Sequence, residues 1–152
     1  MIHASVELAT CGSLPSDKRC QISKTTNRYG KAFARFDVDE IADLLSDDVV
    51  LESQMVLKPR EGKANVLAHL KKRFAYLKEN LAGVLQIIPG EVSLPMGANY
   101  PCLILQRGDI RDALLSLTLD EKGKVKRIDF LIVLPTPGQA NPTGEKFSTA
   151  VY

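Results

Sequence analysis

Two side chains in the first half of the chain are of a type that could do acid–base chemistry on a bound small molecule. The hydroxyl of Tyr29, on the apolar face of a predicted helix, could donate a hydrogen bond to a ligand carbonyl. His69 lies beside the apolar stripe of a later helix, where an imidazole would titrate near neutral pH. Each has a plainer interpretation: Tyr29 as a core residue and His69 as a partly exposed helix residue.

The second half of the chain contains charged residues that alternate along predicted strands. Two R-x-D pairs stand out, Arg107 with Asp109 and Arg127 with Asp129. Cross-strand ion pairs on an exposed sheet face are their plainest interpretation. Cys102 lies in an apolar segment and is interpreted as a small buried hydrophobe. No group of His, Cys, Asp or Glu has the spacing of metal ligands, so neither a metal nor a cofactor is expected.

The elements that position Tyr29 lie between Tyr29 and Ser53. A first helix places one apolar stripe on a single face through Tyr29, Ala32, Phe33 and Phe36. Asp37 is a suitable N-cap for a second short helix, with Glu40 three residues later. Ser46, Asp47 and Asp48 are interpreted as a turn, and a strand is predicted from Val49 to Ser53.

The rest of the chain predicts one long helix followed by a sheet. The helix begins near Gly62 and has an apolar stripe at Val66, Leu67, Leu70, Phe74 and Leu77. From Gly83 onward the apolar period shortens towards two, and short loops separate the strands VLQII, EVSL, YPCLIL, DIRDALLSLTL and KVKRIDFLIV. Such loops join antiparallel neighbours, so the sequence predicts an antiparallel meander.

Three helices followed by a sheet predict an α+β fold in one domain, here about residues 23–134, between a loose arm at 1–22 and a flexible tail at 135–152. A twisted sheet around one long helix leaves an opening suited to a small apolar ligand. The expected pocket wall consists of Phe33, Phe36, Phe74, Leu115, Leu117, Ile128 and Phe130.

Composition excludes several classes of function. The net charge is +2 over 152 residues, too small for a surface that follows nucleic acid. No apolar stretch is long enough to cross a membrane, and no signal peptide is recognisable. Cys11, Cys20 and Cys102 cannot all pair, and their spacing indicates neither zinc nor redox exchange. A soluble protein with reduced thiols in the cytoplasm is expected.

Three segments resemble a known family: SDDVVLES, the helix start at Gly62 to Val66, and LTLDEKGKVKRIDFLIV. Together they resemble the nuclear transport factor 2 superfamily, which includes ketosteroid isomerases and SnoaL-like polyketide cyclases. The resemblance covers about residues 24–134. It implies a cystatin-like cone, with three N-terminal helices packed on a strongly curved antiparallel sheet, and a homodimer formed through that sheet.

The resemblance also implies roles for individual positions. In the isomerases a tyrosine donates to the developing oxyanion, a carboxylate moves the proton, and a protonated acid adds a second donor. Tyr29 falls on the tyrosine, Ser53 on the base and Leu115 on the acid. A shift of one residue would turn Glu52 inward in place of Ser53. The R-x-D pairs resemble the arginine and aspartates of epoxide hydrolases in this superfamily, although the spacing differs.

Three functions follow from these residues. The first is a SnoaL-like protein that binds a small apolar molecule, with Tyr29 as polar anchor and turnover left open. The second is an isomerase, lyase or hydrolase of an apolar ketone or epoxide, with Tyr29 and either Glu52 or His69 as catalytic groups. The third is a dimeric interaction module whose cone is filled by its own side chains.

Overall fold

In the computed structural model of the chain, the described residues are 16–54, 56–93, 99–132 and 137–149. The helices are α1 (Ser16–Ala34), α2 (Val38–Ala42) and α3 (Lys63–Leu81). The first four strands are β1 (Leu45–Ser53), β2 (Val56–Glu61), β3 (Leu85–Ser93) and β4 (Asn99–Arg107). The others are β5 (Ile110–Leu119), β6 (Val125–Leu131), β7 (Asn141–Pro142) and β8 (Phe147–Ser148). Three helices packed on one curved sheet confirm the α+β fold class.

The apolar stripe of α1 is buried as predicted. Tyr29, Ala32 and Phe33 are almost fully inaccessible and belong to the main core. The helix begins at Ser16, well before the predicted start near Ser23, so the predicted loose arm is helical over residues 16–22. The remainder of that arm, residues 1–15, lies outside the described part of the chain.

A tight junction connects α1 to α2. Phe36 has a positive φ of 55°, which is uncommon for a residue with a side chain, and its amide donates to the Phe33 carbonyl at 2.9 Å. The Asp37 carboxylate then accepts from the Glu40 amide at 3.1 Å, which confirms the predicted N-cap. The chain therefore turns sharply here. Phe36, which was predicted to extend the apolar stripe of the first helix, lies beyond the end of α1.

The strands form one sheet in the order β2-β1-β6-β5-β4-β3-β7, with β8 also paired to β3. Strands β3 to β6 form the predicted antiparallel meander. The pairing of β1 with β6 is parallel, so the expectation of a purely antiparallel sheet was wrong at this position. Parallel neighbours need a long connection, and α3 together with the other meander strands supplies one.

Two predicted turns lie inside strands. Asp47 and Asp48 belong to β1, where the register with β6 shifts and both side chains are exposed. Pro89 and Gly90 belong to β3, which the sequence had divided into two strands. Proline has no amide hydrogen to donate, but Pro89 does not cost β3 a hydrogen bond to β4. Its carbonyl points to the opposite side of β3, where it accepts from the Thr143 amide.

The C-terminal segment is docked on the sheet, so residues 137–149 do not form the flexible tail expected from their prolines and glycines. Strands β7 and β8 pair with β3. The Thr149 hydroxyl is buried, donates to the Leu85 carbonyl at 2.8 Å and accepts from the Gly83 amide at 2.9 Å. Backbone pairing at a sheet edge needs no apolar periodicity, which is why the sequence pattern did not reveal this segment.

The same segment covers part of the outer face of the sheet. Arg111 donates to the carbonyls of Ala140 at 2.8 Å and Pro137 at 3.3 Å. Beneath them lies a second apolar cluster of Ile88, Val92, Cys102, Ile104, Leu114 and Ala140. Dimerisation through the sheet was expected from the family resemblance. A dimer stays a prediction, and the covered face leaves less exposed apolar surface to stabilise one.

Two observations concern the expected setting of the protein. Within the described ranges, no helix is long and apolar enough to span a membrane. Cys20 is disulfide-bonded, whereas reduced thiols were expected, and Cys102 is a free, buried thiol. Disulfides persist mainly in oxidising compartments, so a cytoplasmic location stays a prediction that this bond does not favour.

We expect Gly90→Ala to destabilise the protein, because a Cβ at this position would lie 2.8 Å from the Asn141 carbonyl oxygen and 2.9 Å from Ile104 Cδ1. The cost should be about 1–3 kcal/mol in the free energy of unfolding, measured by urea denaturation. Gly138→Ala is the control, since a Cβ there would meet nothing within 4 Å. Equal stability of both variants would contradict the docking of the C-terminal segment on β3.

Candidate functional site

A cavity of about 600 Å³ lies between α3 and the inner face of the sheet. Its floor is apolar because three core elements, α1, α3 and the sheet, each contribute one buried face. The floor residues are Phe33, Leu51, Leu70, Phe74, Leu77, Leu85, Leu105 and Ala113. Leu81, Phe130 and Ile132 add partly buried apolar surface. A volume of this size is typical of a site for a small organic ligand.

The rim of the cavity is polar and mostly positively charged. The rim residues are Ser53, Lys58, Arg60, His69, Arg73, Tyr76, Arg107 and Asp112. The single carboxylate, Asp112, accepts from Arg107 Nε at 2.7 Å and Nη2 at 2.9 Å. Arg107 therefore pairs with Asp112 on the next strand rather than with Asp109, the partner suggested by the R-x-D spacing.

Five of the residues expected at the pocket do line the cavity: Phe33, Ser53, His69, Phe74 and Phe130. The Phe33 and Phe74 rings pack edge to face, with their centroids 4.8 Å apart. Such a pair fixes both ring planes, so this part of the floor has a defined shape. The cavity thus draws on both sequence regions that were expected to meet, the first helix and the long helix.

Four expected wall residues do not line the cavity. Leu115, Leu117 and Ile128 are fully inaccessible and pack in the main core. They share that core with Tyr29, Ala32 and Phe33 of α1 and do not face the open volume. Phe36 lies beyond the end of α1 and packs edge-on against Phe74, with centroids 6.0 Å apart. It supports the floor from behind rather than forming it.

The choice between Glu52 and Ser53 is decided by the alternation of β1. Ser53 lines the cavity, and Glu52, on the opposite face of the strand, bonds Arg127 Nη2 at 2.7 Å. Arg127 also bonds Asp129 at 3.0 Å within its own strand β6, so the cross-strand ion pair of Arg127 is the one with Glu52. The one-residue shift that would turn Glu52 inward is therefore wrong. Glu52 is held in a partly exposed ion pair on the outer face, away from any ligand in the cavity.

Tyr29 does not line the cavity either. Its side chain is fully buried, and within the described part of the chain its hydroxyl has no hydrogen-bond partner. Burial raises the pKa of Tyr29 well above its ordinary value, so the phenol stays protonated. It fills the core beside Phe33, with ring centroids 6.4 Å apart, and the role of polar anchor has no geometric support.

His69 is placed where it can contact a ligand. It lies half-buried on α3, and burial lowers its pKa from the ordinary 6.5, with Arg60 and Arg73 lowering it further. All three causes disfavour the protonated ring, so His69 is mainly neutral at pH 7. A neutral imidazole can accept a proton or a hydrogen bond on one nitrogen and donate from the other.

Sequence reasoning missed the three cations at the mouth, Lys58, Arg60 and Arg73. Lys58 and Arg60 flank Pro59, yet they lie in β2, an edge strand where proline is tolerated. Their spacing of two places both on one face of that strand and was the available signal. Arg73 was assigned no role, although it directly precedes Phe74 in the apolar stripe.

The described residues contain no group of three or more His, Cys, Asp or Glu side chains that could hold a metal ion. Cys102 is not a reactive cysteine, because its thiol is buried and stays protonated. Burial, and to a smaller extent the charge of Glu91, raises the pKa of its thiol to about 12. The polar groups that could act on a ligand in the cavity are therefore His69, Ser53 and the cations of the rim.

Comparison with solved structures gives many matches of the same architecture. SalBIII, an epoxide hydrolase/cyclase-like enzyme with a role in pyran ring formation in the polyether salinomycin, is 16% identical and has a TM-score of 0.55 over 84% of this chain and 98% of its own. A SnoaL-like protein of unknown function from Burkholderia thailandensis is 14% identical, with a TM-score of 0.54 over 82% and 95%. A steroid delta-isomerase from Pseudomonas aeruginosa is 16% identical, with a TM-score of 0.53 over 81% of both chains.

The chain has the NTF2-like fold. This confirms the resemblance that the sequence segments suggested, including the cystatin-like cone. No protein-family model matches the sequence, and no curated protein is similar to it. At such low identity the likeness establishes the fold alone, so the activity of this NTF2-like chain has to be argued from its own cavity.

We expect Tyr29→Phe to leave the free energy of unfolding unchanged or slightly higher, because it removes a buried hydroxyl that has no partner. Tyr100→Phe is the matched control, since the Tyr100 hydroxyl donates to the Leu117 carbonyl at 2.6 Å. Loss of that bond should cost about 1 kcal/mol in urea denaturation. A larger loss for Tyr29→Phe than for Tyr100→Phe would show that the buried phenol has a partner after all.

We expect the pKa of His69 to lie below 6.5 when followed by NMR of the imidazole protons, for the reasons given above. Replacing Arg73 by Gln removes one repelling charge and should raise that pKa, whereas Arg35→Gln, at an exposed site outside the cavity, should not. An unshifted pKa in the wild type, or equal effects of both substitutions, would place His69 away from the cationic rim.

Proposed function

We propose that this chain is a SnoaL-like small-molecule-binding protein that takes an apolar ligand into the cavity between α3 and the sheet. The observation that carries the proposal is the cavity itself, about 600 Å³ with a floor of buried apolar side chains. An apolar body placed against Phe33, Phe74 and Leu77 would bury its surface with a gain of about 25 cal/mol per Å².

The fold provides secondary support. The Pseudomonas aeruginosa protein is named for an isomerisation of steroids, and SalBIII for ring formation in a polyether. Both names refer to small organic molecules, which is consistent with a cavity of this kind as the place of ligand contact. The binding function for this chain still depends on its own lining residues rather than on those names.

A second candidate is an isomerase, lyase or hydrolase, and it depends on His69. A neutral imidazole at the cavity rim could take a proton from a ligand, and general base catalysis typically contributes a factor of about 10²–10⁴. Tyr29 and Glu52 cannot assist, because neither lines the cavity. The third candidate, an interaction module with a filled cone, is disfavoured by the open volume.

The test is a thermal-shift screen of flat apolar ketones, phenols and epoxides. A compound at 100 times its dissociation constant should stabilise the wild type by about 2.7 kcal/mol, a shift of several degrees. Ser53→Phe should abolish that shift, because a phenyl ring would project into the cavity. The same incubations, analysed for product with wild type and His69→Asn, decide between binding alone and catalysis.

The control for the screen is Ser116→Phe. Ser116 lies in β5 but on the outer face of the sheet, as its pairing with Asp129 shows, and it does not line the cavity. Ser116→Phe introduces the same side chain as Ser53→Phe but leaves the volume of the cavity unchanged. A ligand whose stabilisation is lost in Ser116→Phe as well, or is kept in Ser53→Phe, binds elsewhere, and a screen without any stabilising compound would overturn the proposal.

A further inference from the structure

We infer that the cavity selects organic acids, namely a flat apolar body with one carboxylate, held by Lys58, Arg60 and Arg73 at the mouth. The inference rests on the proposed function and goes further, because it names the charge of the ligand and the side chains that recognise it. The sequence predicted a small apolar ligand. The charge distribution around the cavity indicates that this ligand also has an anionic group.

The charges at the rim are not balanced. Among the described lining residues the positively charged ones are Lys58, Arg60, Arg73 and Arg107, and Asp112 is the one carboxylate. Arg107 already binds Asp112 through two nitrogens, so this pair is locally neutral. Three positive charges are left over, in a chain whose total net charge is only +2. The excess is therefore a property of the cavity mouth and not of the whole surface.

The three cations have no acidic partner among the described residues, and the guanidinium of Arg73 lies over the Tyr76 ring, 5.6 Å from its centroid. By contrast, four other arginines among the described residues bind a carboxylate: Arg19, Arg28, Arg107 and Arg127. Like charges held close together repel one another. A bound anion would relieve that repulsion, which no side chain at this site does.

The position of these cations suits a ligand with an apolar body and an anionic end. Leu51 pairs with Arg60 across β1 and β2, and Arg73 directly precedes Phe74 on α3, so each arginine adjoins a floor residue. A ligand that fills the floor would present its polar end to both guanidinium groups. Positive charge at the mouth of a cleft with apolar walls also concentrates anions from solution.

The arrangement favours a small acid over a polyanion. Only three unpaired cations are grouped among the described lining residues, and the floor of the cavity is apolar, whereas nucleic acid binding uses an extended basic stripe. The planar guanidinium of Arg60 or Arg73 matches the two oxygens of a carboxylate. His69, neutral at pH 7, adds a hydrogen-bond donor without adding charge.

The experiment compares naphthalene-1-acetate with naphthalene-1-acetamide by isothermal titration calorimetry at pH 7. The two probes have the same apolar body and nearly the same shape, and only the first is charged. The acid should bind about three- to tenfold more tightly than the amide, as expected for partly exposed ion pairs. Raising the salt concentration should weaken binding of the acid and leave that of the amide unchanged.

The variant is Arg60→Gln/Arg73→Gln, and the control is Arg35→Gln, an exposed arginine that does not line the cavity. Both arginines of the double variant are exposed, so folding should be retained, and thermal unfolding without ligand checks this. In the double variant the preference for the acid should fall to within about twofold, with binding of the amide retained. The control should keep the full preference.

A second readout is the pKa of His69 by NMR, which a bound carboxylate should raise and the amide should not. The charged groups that line the cavity together with His69 are Lys58 and Arg60 from β2, Arg73 from α3, and the Arg107–Asp112 pair from β4 and β5. Of these, Arg60 and Arg73 lower the pKa of His69. Equal affinities for acid and amide, with Ser53→Phe blocking both, would overturn the selection of acids and leave the binding function standing. No binding of either probe would overturn both.

Discussion

The parallel pairing of β1 with β6 is the constraint on which the site depends. It joins the β1–β2 hairpin to the meander and thereby brings residues about 75 positions apart into register, such as Ser53 with Phe130. With that register set, alternation along β1 places Leu51 and Ser53 at the cavity and Glu52 against Arg127 on the other face. A shift of one position would exchange these roles, so this pairing decides which chemistry faces a ligand.

The cavity has two parts of different chemistry because α3 has two adjoining faces. The stripe of Leu70, Phe74 and Leu77 packs inward and forms the floor, while His69 and Arg73 lie at the side of that stripe and reach the rim. The neighbouring edge strand β2 adds its cations to the same rim. A small apolar molecule would contact the first part, and its polar end would contact the second.

The other side of the sheet depends on the C-terminal segment. Residues 137–149 pair with β3 and cover the outer apolar cluster, using main-chain bonds and the buried Thr149 hydroxyl. Close approach is possible because Gly90 has no Cβ at the position where Asn141 lies. Part of the apolar outer face of the meander is therefore buried within one chain.

The sequence by itself determined the order of the three helices and the meander, the apolar stripes of α1 and α3, and the Asp37 cap, because these features follow from local periodicity and capping. The segment resemblance likewise led to the right fold. Only the tertiary structure decided that β1 pairs with β6, that Tyr29 and Leu115 are core, and that Lys58, Arg60 and Arg73 meet at one mouth. Register and convergence are set by contacts between distant segments, and no local pattern encodes those contacts.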